Sequence, residues 1–242
     1  MSRADLRNLA NAFAGQIEKT LNRTITNNAK IKAVVPDGSD GSLIPVGQGL
    51  TKRSLVATLI PLHLRNETPT AWLDLIFQMC MDDQGEYLMV RSSYIAIAAD
   101  PVGEAQLCHF DYERDKGDGY PEAHLQIHGP TPPALTKICK AARRDDDTLA
   151  KLHFPVGGRR FRPCLEDVIE FLITERLARG HPDWQKVIEE GREGFQAVQL
   201  RAAMRKRPDV VEAYLGKYGE KLGWQRVPPP RSGSLPVQPR RG

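Results

Sequence analysis

Five apolar runs follow one another between residues 54 and 129: "SLVATLIPLHLRN", "AWLDLIFQMCMDD", "GEYLMVRSSYIAIAAD", "AQLCHFDYE" and "AHLQIHG". They are rich in β-branched and aromatic residues, and turn signals such as "DDQG" and "RDKGDGYPE" separate them. Parallel strands need long crossovers, commonly helices, whereas antiparallel neighbours need only a turn. This stretch is therefore expected to form an antiparallel β-meander. Pro61 lies inside the first run, which predicts an edge strand, a bulge or a break there.

Helical periodicity flanks the strands on both sides. In residues 4–21, Leu6, Leu9, Ala10, Phe13, Ile17 and Leu21 recur at helical spacing. "AKIKAVV" then reads as a short strand and "PDGSDGSLIPVGQG" as a long loop. After the meander, "PTPP" suits the start of a short helix, and "KLHFPVGG" reads as a last short strand. "RPCLEDVIEFLITERLARG" reads as a helix with Pro163 in its first turn, an apolar stripe from Leu165 to Leu177, and Gly180 at its end. A further helix starts near Pro182, breaks at Pro208 and restarts. The expected class is α+β: an antiparallel meander packed with flanking helices over residues 1–180, a helical extension at 181–225, and a disordered basic tail at 226–242.

Composition excludes several classes. The chain is 40% hydrophobic and 26% charged, ordinary for a soluble protein. No apolar run approaches the ~20 residues that span a bilayer, so no membrane partner is expected. The N-terminal stretch carries acid and no long apolar segment, which predicts a cytoplasmic protein. Cys80, Cys108, Cys139 and Cys164 are widely spaced, unlike zinc-finger ligands, and are expected to stay reduced. "GQGLTKRS" lacks the phosphate-loop spacing, and neither a G-x-S-x-G nor an H-E-x-x-H motif is present. Charge is uneven: residues 1–139 hold 13 Lys/Arg against 16 Asp/Glu, and residues 140–242 hold 21 against 14. The basic half is compatible with an anionic partner such as nucleic acid, or with a solvated helical surface.

The chemistry-bearing residues alternate. His109 and Asp111 share one face of "LCHFDY", and His124, Gln126 and His128 share one face of "AHLQIHG". His153 alternates with Leu152 and Phe154, and Arg159, Arg160 and Arg162 follow at the mouth of a helix. If the strands pair, four histidines gather with Asp111 and Gln126. A histidine oriented by a carboxylate can act as general acid or base, which makes His109, Asp111, His124 and His128 the candidate catalytic set. Gln126, His153, Arg159, Arg160 and Arg162 are the candidate substrate-binding set, the arginines as a fork for phosphate. Three readings stay open: metal-free chemistry, two histidines and an aspartate holding a divalent metal, and the wet face of an ordinary sheet.

The order "FDY…YPEAHLQIHG…LHF…PCLEDVIEFLI", over about residues 107–173, resembles the small bacterial toxin family typified by TumE, from toxin–antitoxin modules. The resemblance implies a toxin-like or defence protein that acts on nucleic acid, with a cognate antitoxin as partner. Metal-free phosphodiester cleavage by a His/Asp/Arg cluster is the chemistry these residues suggest. The alternative is a non-enzymatic binding or regulatory protein that uses the sheet and C-terminal helices as a partner surface.

Overall fold

The computed structural model describes residues 3–62 and 68–224. The last expected segment, the tail at 226–242, lies outside the described residues. The chain is an α+β protein. Helix α1 (Arg3–Thr24) precedes strands β1 (Ile31–Ala33), β2 (Ile44–Gln48), β3 (Ile60–Leu62), β4 (Ala71–Met81), β5 (Leu88–Ala98), β6 (Gln106–Glu113) and β7 (Ala123–Ile127). Helix α2 (Pro133–Ala141), a 3-10 turn (Leu149–Lys151) and the two-residue strand β8 (Phe154–Pro155) follow. Helices α3 (Gly158–Phe161), α4 (Leu165–Thr174), α5 (Trp184–Lys206) and α6 (Pro208–Tyr218) come last, before a 3-10 turn at Glu220–Leu222.

The eight strands form one sheet in the order β1-β2-β4-β5-β6-β7-β8, every pairing antiparallel. Strand β3 lies beside β2 along the same edge of β4 and pairs with β4 alone. Pro61 thus sits in an edge strand, opposite Trp72, where its missing N–H costs no ladder bond. The meander from β4 to β7 follows the sequence expectation. Its first hairpin turns on Asp82, whose carboxylate accepts from the N–H groups of Glu86 (2.7 Å) and Tyr87 (3.0 Å). Gly85 takes φ 68°, a conformation that favours glycine.

Alternation, strictest in β4, gives the sheet two unlike faces. Leu73, Leu75, Phe77 and Met79 of β4, Ile95 and Ile97 of β5, and Cys108 of β6 are buried against α1 and α4. Leu6, Ala10, Ala14, Ile17 and Leu21 supply the α1 side, and Leu165, Val168, Ile169 and Leu172 the α4 side. Phe13 meets Phe77 edge to face at 5.2 Å. Phe110, Leu125 and Ile127 pack partly against the same cluster.

The structure corrects three local expectations. The long loop at 36–49 contains β2, because pairing with β4 overrides the local turn signals of Pro45 and Gly47. Ile44 and Val46 are buried opposite Met79 and Phe77. At Gly47 a Cβ would stand 3.0 Å from the Leu75 carbonyl, so glycine permits the close approach of the strands. The second correction concerns α4, which is shorter than its apolar stripe. Cys164 is the N-cap and Pro163 precedes it, outside the helix. The Asp167 carboxylate accepts from the Cys164 N–H at 2.8 Å and closes a capping box. At the other end Arg176 turns into the left-handed region (φ 61°), and the N–H groups of Leu177 and Ala178 both donate to the Leu172 carbonyl. Leu177 therefore packs from this turn, and Gly180 is not the helix end. Third, the first turns of α5 belong with the sheet, since Ile188 joins the hydrophobic core.

The chain divides into two compact units, Met1–Gln199 and Leu200–Gly242, and the boundary falls within α5. The described part of the second unit holds the end of α5, then α6, which Pro208 opens at its first position, then the closing 3-10 turn. Among the described residues no helix is long and apolar enough to cross a membrane. All four cysteines are free, with Cys108, Cys139 and Cys164 buried.

Ile169 is 0% exposed in the centre of the α4 contact. Ile169→Ala is expected to cost about 2–5 kcal/mol in urea unfolding. A cost below about 1 kcal/mol would place α4 outside the cooperative core.

Candidate functional site

The register places the polar side chains in two rows across the sheet, on the face away from α1 and α4. In one row Asp74 stands opposite Ala96, Ala96 opposite His109, and His109 opposite Gln126. In the next, Ile76 stands opposite Tyr94, Tyr94 opposite Asp111, and Asp111 opposite His124. His128 follows β7, and its N–H donates to the Leu107 carbonyl at 2.8 Å, which extends the pairing by one step.

His109, Gln126 and His128 form a connected chain. The Gln126 Nε2 donates to the Ala150 carbonyl at 2.6 Å, so its Oε1 is left as the acceptor facing the ring. His109 Nε2 lies 2.6 Å from that oxygen and must carry the proton that it donates. His109 Nδ1 is then a bare acceptor, 3.1 Å from His128 Nε2. His128 donates this bond, and its own Nδ1 is left unprotonated. Ordinary hydrogen-bond complementarity thus assigns every tautomer in the chain from one backbone carbonyl. The Tyr94 ring lies against His109 at 5.0 Å, and the Tyr94 hydroxyl accepts from Gln106 Nε2 at 2.8 Å.

A second group adjoins the first. His124 Nδ1 donates to the Pro121 carbonyl at 3.1 Å, and its Nε2 lies 3.6 Å from Asp111 Oδ2. The His124 ring meets His153 edge on at 4.6 Å, and His153 stacks on Tyr120 at 4.1 Å. The His124 side chain is only 1% exposed, while Asp111 is 29% exposed. This half of the face is therefore not an ordinary wet sheet surface. His124 is a buried, hydrogen-bonded group that can orient Asp111 and His153, and His109 and His128 are half-buried.

Burial shifts several of these groups. It pushes the His109 pKa down; the bond to Gln126 opposes this, and repulsion from His128 adds to it. His153 is also pushed down, first by burial and then by His124 and Lys116. Asp74 is pushed up by burial, and its Oδ1 is buried with no hydrogen-bond partner. Burial likewise raises the Tyr94 phenol.

The structure thus brings together His109, Asp111, His124, Gln126, His128 and His153, and it does not bring the arginines to them. Arg159 is tied to Glu122 through both Nε (2.9 Å) and Nη2, and to Asp115 at 2.5 Å. Those acids hold its guanidinium protonated and engage its Nε and Nη2 donors. Arg160 donates to Gln199 at 3.2 Å. Arg162 lies 4.0 Å over the ring of Tyr112, which alternates with Asp111 and so stands on the opposite face of β6. No bond joins Arg162 to Glu166, the ion pair that their spacing suggests; Arg162 donates instead to the Arg159 carbonyl. Among the described residues no group of three or more His, Cys, Asp and Glu side chains is placed to hold a metal ion. Asp74 and Tyr94 are members of the face that sequence reasoning passed over. The signal was present for Asp74: it is the one charge within an eleven-residue apolar strand, on the side away from Leu73 and Leu75.

Two outcomes follow. His109 and His153 both titrate below their unfolded values, so the folded chain binds fewer protons than the unfolded one once pH falls below about 6.5. Their contribution is present above that pH and is lost as pH falls through the lowered folded pKa. The urea midpoint is expected to drop from about pH 7 to about pH 5, and His109→Gln should flatten the drop, His153 retaining its share. Equal slopes in both proteins would contradict the assignment. His124→Ala should cost about 1–3 kcal/mol, because it removes a buried ring and leaves Pro121 O and Asp111 without their partner.

Comparison with protein-family models, with curated proteins and with solved structures gives no match, so the function must be read from the face itself.

Proposed function

We propose that the chain is a toxin-like or defence protein of bacterial type that acts on nucleic acid, with the histidine face as a metal-free phosphodiester-cleaving site. The observation that carries the reading is the 3.1 Å contact between His109 Nδ1 and His128 Nε2, with His109 fixed from behind by Gln126. An unprotonated His128 Nδ1 is a positioned base. When it takes a proton, the imidazolium keeps its Nε2–H bond to His109 and shares its charge with that ring. The same nitrogen can return the proton, so one pair serves both halves of an acid–base cycle.

RNA is the substrate such a pair suits best, because it carries its own nucleophile. His128 Nδ1 takes the proton of a ribose 2′-hydroxyl, and O2′ forms a bond to the adjacent phosphorus. The bond from phosphorus to O5′ breaks, and O5′ takes the proton back. The products are a 2′,3′-cyclic phosphate and a 5′-hydroxyl. The shared positive charge of the protonated pair faces the phosphate as its negative charge grows. Asp111 and His124 act behind this pair: His124 is too buried to reach substrate and serves to position the carboxylate. The resemblance to TumE-like toxins supports the same reading, and it implies a cognate antitoxin as protein partner and a cytoplasmic setting. A different observation favours a non-enzymatic partner surface as the second reading: Leu200 and Met204 of α5 and Val210 and Tyr214 of α6 are exposed.

The test is cleavage of single-stranded RNA and of the matching DNA by the purified protein. RNA should be cut to 2′,3′-cyclic ends and DNA left intact, with and without chelator. His128→Ala should slow the reaction by about 10²–10⁴-fold, with unfolding in urea little changed because this ring is half-exposed. RNA cleavage that survives His128→Ala, or that chelator abolishes, would sink the reading.

A further inference from the structure

The histidine face does not end at His124. His153, from the segment that leads into β8, brings its ring edge on to His124 at 4.6 Å, and Tyr120 covers His153 at 4.1 Å with the two rings tilted by 38°. Exposure rises steeply along this column of rings: His124 is 1% exposed, His153 is partly buried and Tyr120 is 49% exposed. The proposed reaction uses His124 to position Asp111 and gives the outer two rings no part.

Tyr120 is held in place although half of its side chain is in water. Its N–H donates to Asp118 Oδ1 at 3.1 Å, and Asp118 is itself paired with Lys116 at 3.4 Å. Gly119, just before it, turns the chain at φ 84°. Pro121, just after it, offers the carbonyl that accepts from His124 Nδ1 at 3.1 Å. The turn is thus pinned on both sides of Tyr120, and among the described residues His153 is the one ring that backs it.

Single exposed aromatics are common and need no explanation. This one ends a column that leads to Asp111, 3.6 Å from His124 Nε2. His124 and Gln126 share one face of β7, roughly 7 Å apart along the strand, and Gln126 holds His109 at 2.6 Å. An extended nucleotide strand with its phosphate at His128 therefore has a neighbouring base within reach of Tyr120. A ring whose orientation is already set loses little freedom when a flat partner settles on it. Lys116 is committed to Glu113 (3.3 Å) and Asp118, so the surface offers a face more than a charge. Burial lowers the His153 pKa, which keeps the ring beneath Tyr120 neutral at pH 7. A flat, uncharged partner suits such a surface, and every nucleobase presents one once it is unpaired.

We propose that Tyr120, backed by His153, is a stacking platform for an unpaired nucleobase of single-stranded RNA bound across the histidine face. The platform rests on the nucleic-acid reading of that face and does not depend on cleavage by His128.

The probe is a single-stranded 2′-O-methyl oligoribonucleotide, which keeps the bases and lacks the nucleophile, titrated into the full chain and followed by fluorescence anisotropy. Tyr120→Ala should weaken binding by about tenfold or more, the loss of one stacked base, and Tyr120→Phe, which keeps the ring, should stay within about twofold of the wild type. An abasic position scanned along the probe should reproduce the loss in the wild type at one place, and there Tyr120→Ala should add nothing further. The probe annealed to its complement should bind more weakly, since pairing hides the faces of its bases. With cleavable RNA, Tyr120→Ala should raise KM and leave kcat within about threefold, because the ring is remote from the reacting atoms. Probe binding that depends on Tyr120 while no RNA is cut would remove the cleavage reading and keep the platform. RNA cleavage with probe affinity and KM unmoved by Tyr120→Ala would remove the platform alone, and the absence of saturable probe binding would overturn it.

Discussion

The pairing of β6 with its two neighbours governs everything on the sheet. His109 stands opposite Gln126 and Asp111 opposite His124, while Cys108, Phe110 and Leu125 point into the contact with α1 and α4. Side chains alternate with a period of two, so a slip of one residue would put the histidines into the core and the apolar set into water. The burial of Leu73, Leu75, Ile95, Ile97 and Cys108 therefore fixes the polar face as a by-product. Hydrophobic burial sets the register, and the register sets the distance from His109 to His128 and to Gln126.

Much of this was legible in the sequence. The meander, the alternation of His109 with Asp111 and of His124, Gln126 and His128, and the α1 stripe all follow from periodicity alone. What periodicity cannot supply is which long-range partner overrides a local signal. The β2 residues Pro45 and Gly47 signal a turn, and only the buried partners of Ile44 and Val46 on β4 make them a strand. Likewise α4 stops at Thr174 although Leu177 continues its stripe, because the chain turns through Arg176 and still delivers the leucine to the core. Asp74 escaped notice for a related reason. Its place beside His109 depends on the β4–β5–β6 register, with the small Ala96 between them, and no spacing within one strand encodes that.

The arginines show the limit of proximity in sequence as a guide. Arg159, Arg160 and Arg162 are near neighbours, yet their surroundings give them separate roles. Arg159 is locked between two acids, Arg160 meets the amide of Gln199, and Arg162 is laid on an aromatic ring. Arg159 meets its two carboxylates through Nε and Nη2, whereas Arg162 combines its ring contact with a bond from Nη1 to the Arg159 carbonyl. The distribution of acids in the 113–122 segment, more than the count of basic residues, decides which arginine is held in ion pairs.

The borders of the sheet carry a consequence of their own. At one end β1 has three residues and at the other β8 has two, and prolines stand in the edge strands β3 and β8 as Pro61 and Pro155. A strand rim offers unpaired N–H and C=O groups to any extended chain that approaches, which is how sheets recruit one another into aggregates. Among the described residues these rims are too short to template a long added strand, and Pro61 and Pro155 each remove a donor that such a strand would need. The wide central sheet is thereby kept from growing sideways, so crowded copies of the chain can meet through their helices and side chains but have little backbone through which to join.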